Sequence, residues 1–180
     1  MGTWSTRGLR GSTLEEMINR SNEKYREKGL ALIQKVPTPI TPMEIDKAGS
    51  RITLAYFDQK STVDYIGVVQ GIPLCFDAKE CASTTFALQN IHPHQVEFMR
   101  DFEKQEGVAF LLICFTGLDV LYYLRFSELD RYWRRAEEGG RKSFRYDELD
   151  PDYVIPPHRS ILVPYLDLLN RDLAAREEKD

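Results

Sequence analysis

The sequence predicts an α/β protein in which a mixed sheet is flanked by helices. Stretches with apolar residues at helical spacing alternate with short runs of β-branched and aromatic residues, in the order helix, strand, hairpin, helix, strand, strand, helix. The chain has 180 residues, of which 42% are hydrophobic and 29% charged, as is typical of one globular domain. We therefore expect a single domain over residues 1–180.

The first third of the chain predicts an arm, a helix and a short strand. Residues 1–11 show no apolar period, so we expect a mobile arm. The following letters, Ser-Thr-Leu-Glu-Glu, hold a capping box in which Ser12 or Thr13 starts a helix. Gly29 ends that helix, and residues 30–35 are predicted to form a strand.

Three prolines fall within residues 36–42, which read Val-Pro-Thr-Pro-Ile-Thr-Pro. Proline lacks an N–H and has a fixed φ, so this segment favours neither a helix nor a central strand. We expect a stiff, extended excursion over about residues 36–58 that projects from the core.

The rest of the chain predicts a hairpin, two strands and three helices. β-branched and aromatic residues on both sides of Gln70-Gly71 indicate a hairpin over residues 62–79. The predicted strands are residues 108–114 and 120–126. The predicted helices are residues 93–104, 127–135 and 165–176, with Val96 and Met99 on the inner face of the first.

A two-residue turn at Gln70-Gly71 determines which side chains face each other. Facing positions then have numbers that sum to 141, so Asp64 lies opposite Asp77 and Thr62 lies opposite Lys79. Positions two apart share a face, so the four side chains converge. Opposed Cβ atoms are roughly 4.5 to 5.5 Å apart, and two aspartates at that separation repel each other unless a cation lies between them.

This arrangement indicates phosphodiester chemistry. Carboxylate oxygens are ligands that Mg²⁺ prefers, and the ion commonly completes its shell with water and phosphate oxygens. The ammonium of Lys79 would reach the attacking water or the charge that builds up on the phosphate oxygens. The alternative is a solvated sheet face on which Lys79 neutralises the two aspartates.

Composition limits the compartment and the partners. Three cysteines without C-x-x-C spacing predict reduced thiols. The sequence has neither an apolar run of the roughly 20 residues that a membrane span needs nor a secretion signal, so we expect a cytoplasmic protein with no membrane partner. The net charge of −4 does not indicate nucleic-acid binding, although residues 131–145 hold six basic and two acidic side chains and form a candidate phosphate-facing patch.

Several blocks of the chain resemble the hallmark blocks of RecU-type Holliday junction resolvases. The three nearest the hairpin are Lys60-Ser61-Thr62-Val63-Asp64-Tyr65-Ile66-Gly67, Phe76-Asp77-Ala78-Lys79-Glu80 and His92-Pro93-His94-Gln95. Further blocks start at residues 10, 35, 107 and 139, so the resemblance covers most of the chain in order.

The resemblance implies a restriction-endonuclease-like core of the PD-(D/E)xK superfamily and a bacterial endodeoxyribonuclease of recombination and DNA repair. Such an enzyme works as a homodimer and resolves a four-way DNA junction by paired nicks with Mg²⁺, for which Mn²⁺ is a substitute. The Pro-rich segment becomes a stalk that enters the junction centre. A RecA-type recombinase is a further implied partner.

Residue roles also come from the resemblance. Lys79 becomes the transition-state stabiliser, and Asp64 and Asp77 are catalytic through the metal. The metal-site residues become Thr62, Asp64, Asp77 and Gln95. Two features depart from the family, because Asp77 stands where members usually have Glu and because this chain is acidic overall.

Three alternatives stay open. The first is a catalytically silent four-way-junction-binding protein that modulates the strand-exchange recombinase. The second is a role for Glu15 in the metal site, since an acid on the first helix also serves as a capping residue. The third, a zinc site, is disfavoured because Cys75 and Cys81 are separated by five residues rather than two to four. Its other ligands would be His92 and His94.

Overall fold

The computed structural model describes residues 13–46, 48–49, 51–57 and 62–178, and the predicted arm over residues 1–11 lies outside this part. The helices are α1 (Leu14–Glu27), α2 (Pro93–Lys104), α3 (Phe126–Glu137) and α4 (Tyr165–Glu177). The strands are β1 (Leu32–Lys35), β2 (Ile40–Ile45), β3 (Ile52–Phe57), β4 (Tyr65–Val69), β5 (Ile72–Cys81), β6 (Thr85–Ala87), β7 (Val108–Phe115), β8 (Val120–Arg125) and β9 (Ser143–Arg145). None of the helices in the described part is long and apolar enough to cross a bilayer.

A five-stranded mixed sheet in the order β1-β4-β5-β7-β8 lies at the centre of the fold. β5 and β7 pair in parallel, and the other three pairings are antiparallel. The connection between β5 and β7 contains α2, as expected because parallel neighbours require a long crossover. The predicted mixed sheet flanked by helices is confirmed.

Four aromatic rings stack across neighbouring strands of this sheet. Tyr65 on β4 stacks on Phe76 on β5, Phe76 on Phe110 on β7, and Phe110 on Tyr123 on β8, with centroids 4.7, 4.8 and 4.3 Å apart. All four residues are fully buried. If one strand shifted by one residue along its neighbour, its ring would point to the other face of the sheet. The stack therefore specifies the register of β4, β5, β7 and β8.

The capping box at the start of α1 is confirmed. Thr13 is the cap: its hydroxyl accepts a hydrogen bond from the Glu16 N–H, and the Glu16 carboxylate accepts one from the Thr13 N–H. The helix ends at Glu27, and Gly29 follows with a φ of +65°. A glycine adopts that conformation without the steric cost that a Cβ would bring.

The two-residue turn between β4 and β5 is also confirmed. Gln70 and Gly71 have φ values of +49° and +90°, the pattern of a type I′ turn whose twist suits a hairpin. The pairs run from Val69–Ile72 at the turn to Tyr65–Phe76, which is the predicted register.

The Pro-rich region is a strand pair whose register shifts on both sides of Glu44. β2 and β3 form a separate two-stranded antiparallel sheet, with Pro42 inside β2. A proline fits there because both strands of a two-stranded sheet are edge strands, which have one side free of ladder bonds. We call residues 36–57 the stalk hairpin. Six of its large side chains are exposed: Ile40, Met43, Ile45, Ile52, Leu54 and Tyr56.

Candidate active site

Asp64 and Asp77 meet at the open end of the β4–β5 hairpin. Asp64 precedes β4 by one residue, and Asp77 lies in the middle of β5. The Asp64 N–H donates to Asp77 Oδ1 at 3.0 Å, while Asp64 Oδ2 accepts a bond from the Ala78 N–H at 3.0 Å. Each carboxylate therefore bonds to the backbone of the opposite segment, and this holds the two groups together.

The predicted pairing of Thr62 with Lys79 is not formed. The ladder ends at Tyr65–Phe76, because the Asp64 carboxylate takes the Ala78 N–H that a continued ladder would bond to backbone. Lys79 nevertheless reaches the pair, with its Nζ 2.5 Å from Asp77 Oδ2. Thr62 is half-buried, two residues before Asp64.

Gln95 approaches the pair from the first turn of α2, which begins with Pro93. Its Nε2 donates to Asp77 Oδ1 at 3.1 Å, and its Oε1 accepts a bond from the His92 N–H at 3.0 Å. Because a backbone N–H can donate only to the amide oxygen, the second bond orients the amide with its nitrogen towards Asp77. Gln95 is buried and fixes the position of Asp77 Oδ1.

Burial gives Asp77 unusual electrostatics. The side chain is 0% exposed, and burial followed by the adjacent Asp64 carboxylate raises its pKa to about 7, against the opposing effect of Lys79. Asp77 Oδ2 contacts the Lys79 ammonium at 2.5 Å and has no other hydrogen-bond partner among the described residues. Two adjacent carboxylates, one of them fully buried, with a single ammonium beside them are a setting that favours a further cation.

The donor set suits a hard cation that keeps part of its water shell. Within the described residues, no three His, Cys, Asp or Glu side chains are grouped so that they could hold a metal ion. Two carboxylates with an amide neighbour suit Mg²⁺, which is usually bound through one or two carboxylates plus water and phosphate oxygens. The residues present therefore fit the metal that the resemblance implies.

Comparison with known proteins identifies the family. Residues 9–171 match the model of RecU, recombination protein U. The chain belongs to the RecU family.

RecU relatives align along most of the chain. The Holliday junction resolvase RecU of Limosilactobacillus reuteri is 41% identical over 172 residues, which cover 93% of this chain and 84% of the relative. That of Levilactobacillus brevis is 41% identical, covering 93% and 86%, and that of Bacillus pumilus is 44% identical, covering 78% and 69%. The Hjc resolvase structure from Archaeoglobus fulgidus matches 62% of this chain and 74% of its own, with a TM-score of 0.34 and 9% identity, too low to bear on the fold.

A contact that the sequence analysis missed fixes α1 beside the RecU site. Glu80 Oε1 accepts a hydrogen bond from the Leu14 N–H at 2.8 Å, so an orphan donor at the helix start is satisfied by the residue after Lys79. One indication of this contact was present in the sequence, because Glu80 is the last residue of the block Phe76-Asp77-Ala78-Lys79-Glu80 that resembles the family. Glu15, the open candidate, forms an ion pair with Lys35 on β1.

The basic run over residues 131–145 is largely neutralised within this RecU chain. Arg134 pairs with Asp130 at 2.7 Å, and Arg141 pairs with Glu148. Arg145 pairs with Asp147, so these cations are already engaged on the protein surface. Their pairing favours a structural role over the predicted phosphate-facing patch.

The buried Asp77 carboxyl predicts a pH-dependent stability of the metal-free protein. Its pKa rises from 3.8 to about 7 on folding, so this group favours the folded state fully below pH 4 and loses that contribution as the pH rises to 7. Asp77→Asn removes this pH-dependent loss of stability, because the amide does not ionise. Its oxygen still accepts the hydrogen bonds from Asp64 and Gln95. In EDTA at pH 8 we expect the variant to melt about 5 °C above the unaltered chain, with a smaller difference at pH 5.

Thermal unfolding followed by circular dichroism at both pH values measures this. Asp101→Asn, the same change at an exposed position of α2, is the matched control and should shift neither melting temperature by a comparable amount. A lower melting temperature for Asp77→Asn at pH 8 would show that the ionised carboxylate is well stabilised in the folded chain.

Proposed function

We propose that this RecU-family chain is a structure-selective endodeoxyribonuclease that resolves Holliday junctions by paired nicks in recombination and DNA repair. The observation that carries the proposal is the fully buried Asp77 carboxylate, held against the Asp64 carboxylate with only the Lys79 ammonium at its Oδ2. The substrate class, four-way junction DNA, follows from the names of the RecU relatives.

Asp64 and Asp77 are the residues that would hold Mg²⁺, with Mn²⁺ as a substitute. When bound, Mg²⁺ supplies a Lewis acid that polarises the phosphate and lowers the pKa of a water molecule. Gln95 supports the site by holding Asp77 Oδ1, and Thr62 completes the proposed set. The closeness of the two carboxylates supports this assignment, because the Lys79 ammonium balances only one of their two negative charges.

Lys79 is the proposed transition-state stabiliser. Its side chain is 19% exposed and follows Asp77 by two positions on β5, so both groups lie on one face of the strand. A partly buried ammonium that is already held in place stabilises charge on the phosphate oxygens without reorganising during the reaction. Asp77 holds the ammonium there at 2.5 Å.

The carboxylate pair also favours an enzyme over a catalytically silent junction-binding protein. DNA phosphates are anionic, and two carboxylates would repel them unless a cation intervenes. Cleavage of a labelled four-way junction with and without Mg²⁺ tests the proposal, and we expect symmetric paired nicks only with the metal. Tight junction binding without cutting in either Mg²⁺ or Mn²⁺ would favour the binding protein.

Three further parts of this proposal come from the sequence and its resemblance. A homodimer would place two sites on opposed strands of the junction. Like the homodimer, the contact with a RecA-type recombinase and the location in the bacterial cytoplasm are predictions.

The stalk hairpin is proposed to give selectivity for junctions. Its two strands pair only with each other in the described sheets, and the chain enters and leaves them at neighbouring points, because Ile40 at the start of β2 pairs with Phe57 at the end of β3. A four-way junction has a central opening for a projecting hairpin, whereas a linear duplex has none. We expect replacement of residues 38–59 by a short Gly-Ser linker to weaken junction binding about tenfold or more and duplex binding far less.

Dissociation constants for junction and duplex of equal length, at one salt concentration, measure this effect. Both strands must be removed, because β3 would otherwise lose its pairing partner. Residual Mg²⁺-dependent nicking of duplex is expected, since Asp64 and Asp77 remain. If the ratio of the two constants is unchanged in a folded deletion variant, the stalk hairpin is not the source of selectivity. The spacing of the two sites in the dimer would then be the source.

A further inference from the structure

An open groove of about 680 Å³ lies between the start of α2 and the last turns of α3. We call it the Trp133 groove, after the half-buried indole that lines it from α3. The side chains that matter below are Leu88, Ile91, His92, Pro93, Trp133 and Lys142. None of them belongs to the carboxylate pair or to its proposed metal set.

The groove adjoins the candidate active site through α2. His92 and Pro93 line the groove, and the His92 N–H donates to Gln95, whose amide nitrogen contacts Asp77. Two hydrogen bonds thus connect the groove wall to the buried carboxylate. A DNA strand with a phosphate at Asp77 would have a neighbouring nucleotide close to this wall.

The groove has the chemistry of a site for one flat ring. Its floor includes the buried side chains of Leu88 and Ile91, and Pro93 adds a further apolar surface. The indole Nε1 of Trp133 donates to Glu137 Oε1 at 3.0 Å, which satisfies its polar atom and restrains the ring. Aromatic side chains bind nucleobases by stacking, with little dependence on base identity.

Size favours a nucleotide over a protein partner, while the two charged residues that line the groove, Lys142 and Glu137, are of opposite sign. A volume of about 680 Å³ lies within the range of small-molecule sites, whereas a stable protein interface needs roughly 800 Å² from each partner. Lys142, which has no ion pair among the described residues, stands at the rim and would face the DNA backbone. The neighbouring arginines differ, because Arg134 and Arg141 are already paired.

We propose that the Trp133 groove binds one unstacked nucleobase of the junction, next to the phosphate that is cut. This inference rests on the proposed nuclease function. A base leaves its stack at the least cost where stacking is already interrupted, and the branch point of a four-way junction is such a place. The groove therefore contributes both to junction affinity and to the choice of the phosphate that is cut.

Tryptophan emission tests the proposal directly. The chain has two tryptophans, Trp4 and Trp133, so Trp4→Phe leaves Trp133 as the single reporter. Titration of this full-length variant with a four-way junction in EDTA should quench Trp133 emission, because a stacked base quenches an indole. Inorganic polyphosphate, which carries charge but no bases, should bind without quenching.

Substitution gives a second readout. In the natural background, Trp133→Leu should weaken junction binding about tenfold, the size of one base–aromatic stack, and change the distribution of cut sites. Trp133→Phe keeps an aromatic face and should restore most of both properties. Lys142→Ala should lower the salt slope of junction binding by about one and leave the quenching intact.

The outcomes separate the inference from the proposed function. The chain could bind and cut junctions while Trp133 emission stays constant and Trp133→Leu keeps the same cut sites. In that case the inference about the groove is wrong and the proposed function stands. Emission that changes with protein concentration alone would assign the groove to a second copy of the chain and overturn it. A chain that neither binds nor cuts junctions overturns the proposed function and the inference together.

Discussion

We expect Asp64→Asn and Asp77→Asn each to reduce Mg²⁺-dependent cutting of four-way junctions by about a thousandfold or more and to leave junction binding in EDTA nearly unchanged. The amide removes a ligand charge but keeps the shape of the side chain. In Asp77→Asn the amide oxygen would still accept the bonds from the Asp64 N–H and from Gln95, so the hairpin end should remain in place. A loss of this size corresponds to about 4 kcal/mol of transition-state stabilisation, within the range of a metal contribution.

Single-turnover cleavage of a labelled junction measures the rates, and binding isotherms in EDTA measure the affinity. Asp101→Asn is again the matched control, because it makes the same change on the exposed face of α2 and should cut at the normal rate. Circular dichroism verifies folding. A rate within about tenfold of the unaltered chain for either variant would remove that carboxylate from the mechanism.

We expect Lys79→Ala to lower the cleavage rate by about two to three orders of magnitude, about 3 to 4 kcal/mol, with little change in junction affinity. The reason is the position of the ammonium, which Asp77 holds at the site before substrate arrives. A lysine that only gripped a DNA phosphate would have the opposite signature, with weaker binding and a smaller change in rate at saturating DNA.

Binding isotherms at several salt concentrations separate these two roles. Loss of one phosphate contact reduces the slope of log affinity against log salt by about one, whereas loss of a catalytic group leaves the slope unchanged. Lys104→Ala, which removes an exposed lysine from α2, provides the control for a general change in charge. A reduced slope with an unchanged rate for Lys79→Ala would assign Lys79 to DNA binding.

The sequence predicted those parts of the fold that depend on local chemistry. The turn at Gln70-Gly71 determined the hairpin register, because Gly71 accepts a positive φ without steric cost and a two-residue turn sets which residues face each other. The start of α2 followed from Pro93, and the helix has the predicted bounds. Register and alternation together brought Asp64 to Asp77 without any information from the rest of the chain.

The remaining features depend on contacts between distant segments. β6 and β9 have three residues each, too short for a periodic pattern, and they pair across most of the second half of the chain. The early end of the β4–β5 ladder results from one side-chain bond of Asp64, which no residue pattern specifies. The Trp133 groove likewise arises only when α3 packs beside the start of α2.

The parallel pairing of β5 with β7 implies that the candidate active site is assembled late in folding. The β4–β5 hairpin is local and can form within microseconds, but Asp77 pairs with Leu111 only after the intervening chain, including α2, has closed a long loop. Until then the carboxyl group is hydrated, Gln95 is absent and Asp77 has no reason for a raised pKa. A nascent or partly unfolded chain therefore carries the proposed catalytic residues without the assembled site, and we expect cutting only by molecules that have completed the sheet.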